Sequence, residues 1–119
     1  MVDHPTEGLG LQNKYIEPVV HATQQVLETM TQTPVVAQEP RWKNSTSTSG
    51  DITAVMRMSS ETIAGFLIVS FSQSCVLAVV ARMLMEPPRA AIDEEVVDAV
   101  GELANMICGG TKARLAGYQ

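Results

Sequence analysis

The chain has 119 residues, of which 45% are hydrophobic, and its 8 basic and 13 acidic side chains give a net charge of −5. This length and apolar content fit one domain with a modest core. An acidic chain without a cluster of Lys and Arg excludes nucleic acids and anionic membranes as expected partners. No apolar run approaches the roughly 20 residues of a membrane helix, and no secretory signal is visible, so we expect a cytoplasmic protein.

The two cysteines, Cys75 and Cys108, form no metal or redox motif, since no third Cys and no neighbouring His accompany them. We therefore expect two buried, reduced thiols. The sequence indicates no metal site elsewhere in the chain.

The N-terminal part of the chain predicts a flexible lead followed by a helix. Residues 1–11 contain two glycines and a proline without periodicity, and we expect the single folded domain to cover residues 12–119. From Tyr15 onward, apolar residues recur at helical spacing. Because proline is tolerated in the first turn of a helix, Pro18 predicts a helix that begins near Tyr15.

Three β segments are predicted in the middle of the chain, at about residues 35–43, 51–58 and 62–71. The second alternates between two sets of side chains, as a strand with one buried face does. The third is almost continuously apolar, so both of its faces are expected to be covered. The alternating sets are Ile52, Ala54 and Met56 on one side, and Thr53, Val55 and Arg57 on the other.

Two further helices are predicted. The first covers residues 72–86, with Ser72 or Ser74 as its N-cap, and Pro87-Pro88 ends it. The second covers residues 93–116, with Asp93 as its N-cap. The predicted apolar face of this long helix comprises Ile92, Val96, Val97, Val100, Leu103, Met106, Ile107 and Leu115.

The opposite face of the long helix carries Asp98, Glu102, Asn105 and Gly109, at spacings of four, three and four residues. Such spacings place all four on one side of a helix, and we call this set the polar stripe. It holds an acid and an amide, and the chain offers no catalytic partner for them. The pattern therefore favours a surface that completes the active site of another protein.

The polar stripe resembles the pattern Asp/Ser-x-x-x-Glu-x-x-Asn-x-x-x-Gly of the CheX/CheC/FliY family of chemotaxis phosphatases. The pattern stands complete within DAVGELANMICGG, residues 98–110. The order of the predicted elements, over roughly residues 12–118, is similar to the CheX branch, which carries a single motif helix. The resemblance implies an α+β fold of the CheC-like kind, in which a β-sheet packs on long helices. Members of the family continue into further strands, whereas this sequence ends at Gln119, so we expect a sheet that lacks those last strands.

The same resemblance implies an enzyme of two-component chemotaxis signalling. It would be a protein phosphatase that accelerates hydrolysis of the aspartyl phosphate of a CheY-type response regulator. Glu102 and Asn105 would act in catalysis, and Asp98 and Gly109 would contribute to docking. No cofactor is expected in this chain, because the response regulator supplies the Mg²⁺. The resemblance also implies a homodimer joined through the β-sheet.

Two interpretations without catalysis stay open from the sequence. The chain could be a docking module for a response regulator, or a dimerisation domain of the same fold. Periodicity alone would make the polar stripe the solvated side of an amphipathic helix. The presence of both Glu102 and Asn105 favours the enzyme.

Overall fold

The computed structural model describes residues 4–42, 45, 47–59, 61 and 64–116. Within these residues, helix α1 (His4–Thr31) is followed by strands β1 (Ile52–Ser59) and β2 (Ala64–Phe71). Helices α2 (Gln73–Leu84) and α3 (Glu94–Ala116) complete the order. The arrangement confirms the α+β class, and the sheet has two strands in the described part of the chain.

Helix α1 begins earlier than the sequence predicts. It covers residues 4–11, where we expected a flexible lead, and the predicted start near Tyr15 is wrong. Pro18 consequently lies in the helix interior. An interior proline removes one backbone hydrogen bond, but the Pro18 side chain is fully buried, so its packing offsets part of that loss.

The first predicted β segment does not form a strand in the described residues. Residues 35–42 have no regular structure, and residue 43 lies outside the described part. The N–H of Val35 donates to Oε2 of Glu28 at 2.8 Å, and its carbonyl oxygen accepts from Nε2 of Gln24 at 3.1 Å. The backbone N–H and C=O of Val35 thus form hydrogen bonds with side chains of α1 instead of with a neighbouring strand.

Strands β1 and β2 form an antiparallel hairpin whose register runs from Ile52 opposite Phe71 to Ser59 opposite Ala64. The burial of β1 alternates as predicted. Ile52, Ala54 and Met56 are half-buried, whereas Thr53, Val55 and Arg57 are exposed. The inner face of the hairpin therefore points toward the helices, and its outer face points away from them.

The outer face of β2 is uncovered, contrary to the prediction that both faces are packed. Leu67 and Phe71 are buried, but Phe66 is 68% exposed and Ile68 is 52% exposed. Residues 62 and 63, which the sequence assigns to this strand, lie outside the described part. Strand β2 is therefore apolar on both faces, but among the described residues nothing covers its outer face.

Helix α2 begins as predicted. The Oγ of Ser72 accepts from the N–H of Cys75 at 3.3 Å, and Oδ2 of Asp51 accepts from the N–H of Gln73 at 2.7 Å. Two side chains therefore satisfy the first free donors of the helix. The expected burial of both thiols is wrong for Cys75, which is exposed in this first turn, while Cys108 is buried.

Helix α3 lies at the centre of the packing. Its N-terminal half packs against Val76 and Val80 of α2. Farther along, Ile107 and Cys108 pack against the inner face of the hairpin at Leu67. On another side α3 packs along α1, and a Cβ added to Gly110 would lie only 3.2 Å from the Cβ of Ala22. Neighbours on three sides thus fix the axis of α3.

Candidate functional site

The start of α3 is fixed by hydrogen bonds and ion pairs. Oδ1 of Asp93 accepts from the N–H of Val96 at 3.0 Å, which confirms Asp93 as the N-cap. Its Oδ2 accepts from Arg89 at 2.9 Å, and Arg89 also contacts the carboxylates of Glu95 at 3.2 Å and Glu86 at 3.5 Å. These contacts join the end of α2, the following loop and the first turn of α3.

The same contacts shift two pKa values. The hydrogen bond from the N–H of Val96, and after it the bond from Arg89, hold the pKa of Asp93 below its ordinary value of 3.8. The hydrogen bond to Asp93 raises the pKa of Arg89 above its ordinary value. Both groups are therefore charged at neutral pH, and the ion pair between them persists.

The buried face of α3 determines which side of the helix reaches solvent. Five of its eight buried residues are completely inaccessible, and the other three are at most 5% exposed. A helix packed so closely cannot rotate without exposing this face. The buried members are Val96, Ala99, Val100, Leu103, Ala104, Ile107, Cys108 and Thr111.

The four positions of the polar stripe lie on the exposed side of α3. Asp98 and Asn105 are separated by about 10 Å along the helix axis, at a rise of about 1.5 Å per residue. Within the described part of the chain, the side chains of Asp98, Glu102 and Asn105 make no hydrogen bond or ion pair. A Cβ added to Gly109 would meet no atom within 4 Å. The structure thus brings together the four residues that the sequence indicates, and leaves their polar atoms available to a partner.

Two residues predicted to belong to the apolar face of α3 lie at the surface. Val97 is 52% exposed and Met106 is 36% exposed, so their predicted burial is wrong. Val97 precedes Asp98, and Met106 follows Asn105. Each successive residue turns by about 100° around a helix, so Val97 and Met106, nine positions apart, lie on opposite faces of α3 with the polar stripe between them. The sequence gives them the same spacing as the buried residues and no signal of their exposure.

A groove of about 360 Å³ lies away from the polar stripe. Tyr15, Phe66, Lys112 and Leu115 are among the residues that line it, and no member of the polar stripe does so. In the described part of the molecule, no group of three or more His, Cys, Asp and Glu side chains is placed to hold a metal ion. Among the helices of the described chain, none has the length and apolar content needed to cross a membrane.

Comparison with known proteins supports the resemblance seen in the polar stripe. Residues 52–119 match the family model described as chemotaxis phosphatase CheX, and this segment contains the whole of α3. No curated protein matches the chain.

The solved structures that are similar to this chain include two relatives. One is a CheC-like superfamily protein from Shewanella sp. PV-4, with 32% sequence identity and a TM-score of 0.81. The similarity covers 88% of this chain and 68% of that protein. The other is the chemotaxis protein CheX from Vibrio vulnificus, with 31% identity and a TM-score of 0.81 over 88% of this chain and 69% of that one. Sequence and structure agree, and the chain belongs to the CheX family of chemotaxis phosphatases.

Proposed function

We propose that this protein accelerates hydrolysis of the aspartyl phosphate of a CheY-type response regulator in chemotaxis signalling. Membership of the CheX family of chemotaxis phosphatases supports a phosphatase reaction. The observation that carries the proposal is the polar stripe, which α3 holds rigidly on its exposed side. Phosphoryl transfer depends mostly on positioning and charge stabilisation, and a rigid helix provides positioning.

Asn105 is the residue that acts on the reacting atoms. Its side chain is exposed and makes no hydrogen bond within the described chain, so its amide is available to enter the active site of the partner. The amide oxygen accepts a hydrogen bond from a water molecule, and the NH₂ group donates to the phosphoryl group. The oriented water attacks phosphorus opposite the aspartyl oxygen. As the new P–O bond forms, the bond to the aspartyl oxygen breaks, which yields inorganic phosphate and the free carboxylate.

Glu102 binds the partner beside the reacting phosphate. It lies about one helical turn before Asn105, on the same exposed side of α3. Its carboxylate accepts a charge-assisted hydrogen bond from a lysine near the phosphate of the response regulator. That contact sets the register of α3 on the partner, so that Asn105 meets the phosphoryl group.

Asp98 and Gly109 extend the docking surface at the two ends of the polar stripe. Asp98 continues the negative charge by one further turn. Gly109 leaves open space above the helix, where the backbone of a partner can approach closely. Interior glycine costs a helix about 1 kcal/mol relative to alanine, and no atom of the described chain requires its small size at this position.

The response regulator supplies the Mg²⁺ that this reaction requires, together with the phosphorylated aspartate. The residues of this chain position a water molecule and hold the partner. The proposed place of action is the cytoplasm, where response regulators act.

The outer face of the hairpin supports a second role, dimerisation through the β-sheet. Val55, Phe66 and Ile68 are all more than half exposed on this face. Val55 pairs with Ile68 in the register, so these apolar side chains form one patch. The inner face of the hairpin already packs on the helices, and a second copy of the chain can cover the apolar patch on its outer face.

The phosphatase activity is tested by release of inorganic phosphate from a phosphorylated response regulator in the presence of Mg²⁺. We expect the parent protein to accelerate release, and Asn105→Ala to reduce the acceleration about 100-fold. Gln25→Ala is the matched control, because it removes an exposed amide from α1. Equal rates with the parent and Asn105→Ala proteins would contradict the role of Asn105 and favour a module without catalysis.

A further inference from the structure

The charged residues of α3 are divided by sign along the helix. The acids, all in its N-terminal half, are Glu94, Glu95, Asp98 and Glu102. The two cations lie near its C-terminal end. Of these, Arg114 is half-buried and contacts Nε2 of His21 on α1 at 3.3 Å, so it is directed toward α1. Lys112 is exposed, and within the described chain its side chain makes no hydrogen bond or ion pair. Lys112 is thus the cation that α3 offers to a group outside the chain.

Lys112 lies in line with Asn105 on the surface of α3. Asn105 follows Asp98 by seven residues, and Lys112 follows Asn105 by seven. Seven residues make almost two full turns of a helix, so such positions differ by only about 20° around its axis. Asn105 and Lys112 are therefore on the same exposed side of α3, about 10 Å apart along the axis. Lys112 continues that line about one turn beyond Gly109.

The surface of α3 is open between Asn105 and Lys112. Gly109 occupies this interval, and a Cβ added to it would meet no atom within 4 Å. Side chains on a helix lean toward its N-terminus, so the stem of Lys112 is inclined toward Gly109 and Asn105. Lys112 also borders the groove of about 360 Å³, where no acidic residue is among the described lining residues. No carboxylate of that groove binds its ammonium group.

We propose that Lys112 binds the phosphoryl group of the response regulator in the open space above Gly109, together with the amide of Asn105. This inference rests on the proposed function and adds a second residue that touches the substrate. The phosphoryl group is the occupant because it is itself an anion, with a charge of about −1.5 to −2 at neutral pH. The lysine ammonium group is a compact point charge that suits phosphate oxygens.

The order of charges along α3 determines on which side of Asn105 the phosphoryl group lies. The carboxylates of Asp98 and Glu102 are on its N-terminal side and repel an anion, whereas Lys112 is on its C-terminal side and attracts one. The interval of about 10 Å leaves room for one phosphoryl group between the amide and the ammonium group, each at hydrogen-bond distance. Lys112 therefore makes the protein recognise the phosphorylated regulator in preference to the unphosphorylated form.

The test compares the affinity of this protein for a CheY-type response regulator with and without beryllium fluoride, in the presence of Mg²⁺. Beryllium fluoride binds the aspartate carboxylate as a stable, anionic mimic of the phosphoryl group. We expect the parent protein to prefer the beryllium fluoride form. Lys112→Gln removes the charge and keeps a good helix former, and it should lose about tenfold of this preference without weaker binding of the unmodified regulator.

Two variants are controls for this loss. Lys112→Arg keeps the positive charge and should keep the preference of the parent protein. Arg82→Gln removes an exposed positive charge from α2 and should also leave the preference unchanged. An equal loss of preference in Arg82→Gln would be a general effect of net charge and would overturn the assignment of Lys112.

The other outcomes separate this inference from the proposed function. If Lys112→Gln keeps the full preference, the inference is wrong, and the phosphatase stands as long as Asn105→Ala loses phosphate release. A parent protein that binds both forms equally, or binds neither, also overturns the inference. If the parent protein releases no phosphate but its preference is lost in Lys112→Gln, binding of the phosphoryl group is correct and the phosphatase activity is wrong.

Discussion

The glycines of α3 differ in what surrounds them, although the sequence presents them alike. A Cβ on Gly110 would approach Ala22 of α1 to 3.2 Å, so close packing of two helices explains the glycine there. At Gly101 and Gly109, nothing lies within 4 Å of the added atom. Of these two, Gly109 belongs to the polar stripe, and the proposed docking of a partner gives it a role that the fold does not.

Gly109→Ala should separate stability from function. We expect the variant to gain about 1 kcal/mol in free energy of unfolding, because alanine favours the helix and has room for its methyl group. We expect its phosphate release to fall, because that methyl group meets the partner. Urea denaturation and the phosphate release assay measure the two effects.

Gly101→Ala is the matched control, since it also adds a methyl group to open space on α3. It should gain similar stability and retain the activity of the parent protein. Full activity in both variants would show that Gly109 has no part in docking.

At the scale of an element, the start of α3 depends on the ionisation of Asp93. The pKa of Asp93 is lowered in the folded protein, first by the N–H of Val96 and then by Arg89. A lowered folded-state pKa means that the charged form stabilises the fold. This contribution is present above the ordinary pKa of 3.8 and is lost as the pH falls through the lower, folded-state value.

Asp93→Asn should isolate that charge, because asparagine also caps helices well and keeps the neutral hydrogen bond. At pH 7 we expect the parent protein to have the higher Tm. The difference should shrink as the pH falls below about 4. Thermal melts of both proteins across this pH range, with Asp93→Ala as the variant that loses the cap entirely, measure it. A difference in Tm that is independent of pH would contradict the assigned ion pair with Arg89.

Elements whose signals are local were predicted well from the sequence. The N-caps Ser72 and Asp93, the alternation of β1 and the four-residue pattern of α3 all depend on residues within a few positions of one another. Their hydrogen bonds form with near neighbours in the chain, so the sequence contains most of the information. The exposed placement of the polar stripe followed from the same local geometry.

Features that depend on distant packing were predicted poorly. From the sequence, Pro18 indicates a helix that begins close to it, because proline is tolerated in a first turn. In the structure Pro18 lies inside α1, where burial of its side chain stabilises the helix. Val35 and its neighbours have the composition of a strand, but side chains of α1 bind the Val35 backbone instead. The edge of the buried face of α3 is set by where α1 and the sheet lie, and periodicity alone could not show that Val97 and Met106 are outside it.

For the whole molecule, the exposed outer face of the hairpin predicts self-association. Phe66→Ser should shift the protein from dimer toward monomer, because Phe66 is 68% exposed and contributes the largest side chain of the patch. Size-exclusion chromatography with light scattering measures the mass. Val36→Ser is the control, since Val36 is 87% exposed in the segment between α1 and β1. A monomeric parent protein, or a variant that stays fully dimeric, would contradict dimerisation through this face.

The packing of α1 along α3 joins segments that are far apart in the chain. For example, the side chain of Arg114 on α3 contacts Nε2 of His21 on α1 at 3.3 Å, across 93 positions of sequence. During synthesis the chain emerges from its N-terminus, so α1 leaves the ribosome long before α3 exists. The hairpin and α2 can form first from nearby residues, whereas the apolar side of α1 must wait for its main partner. A nascent chain of this protein therefore leaves the apolar side of α1 without its main partner until the segment that carries the polar stripe has been made.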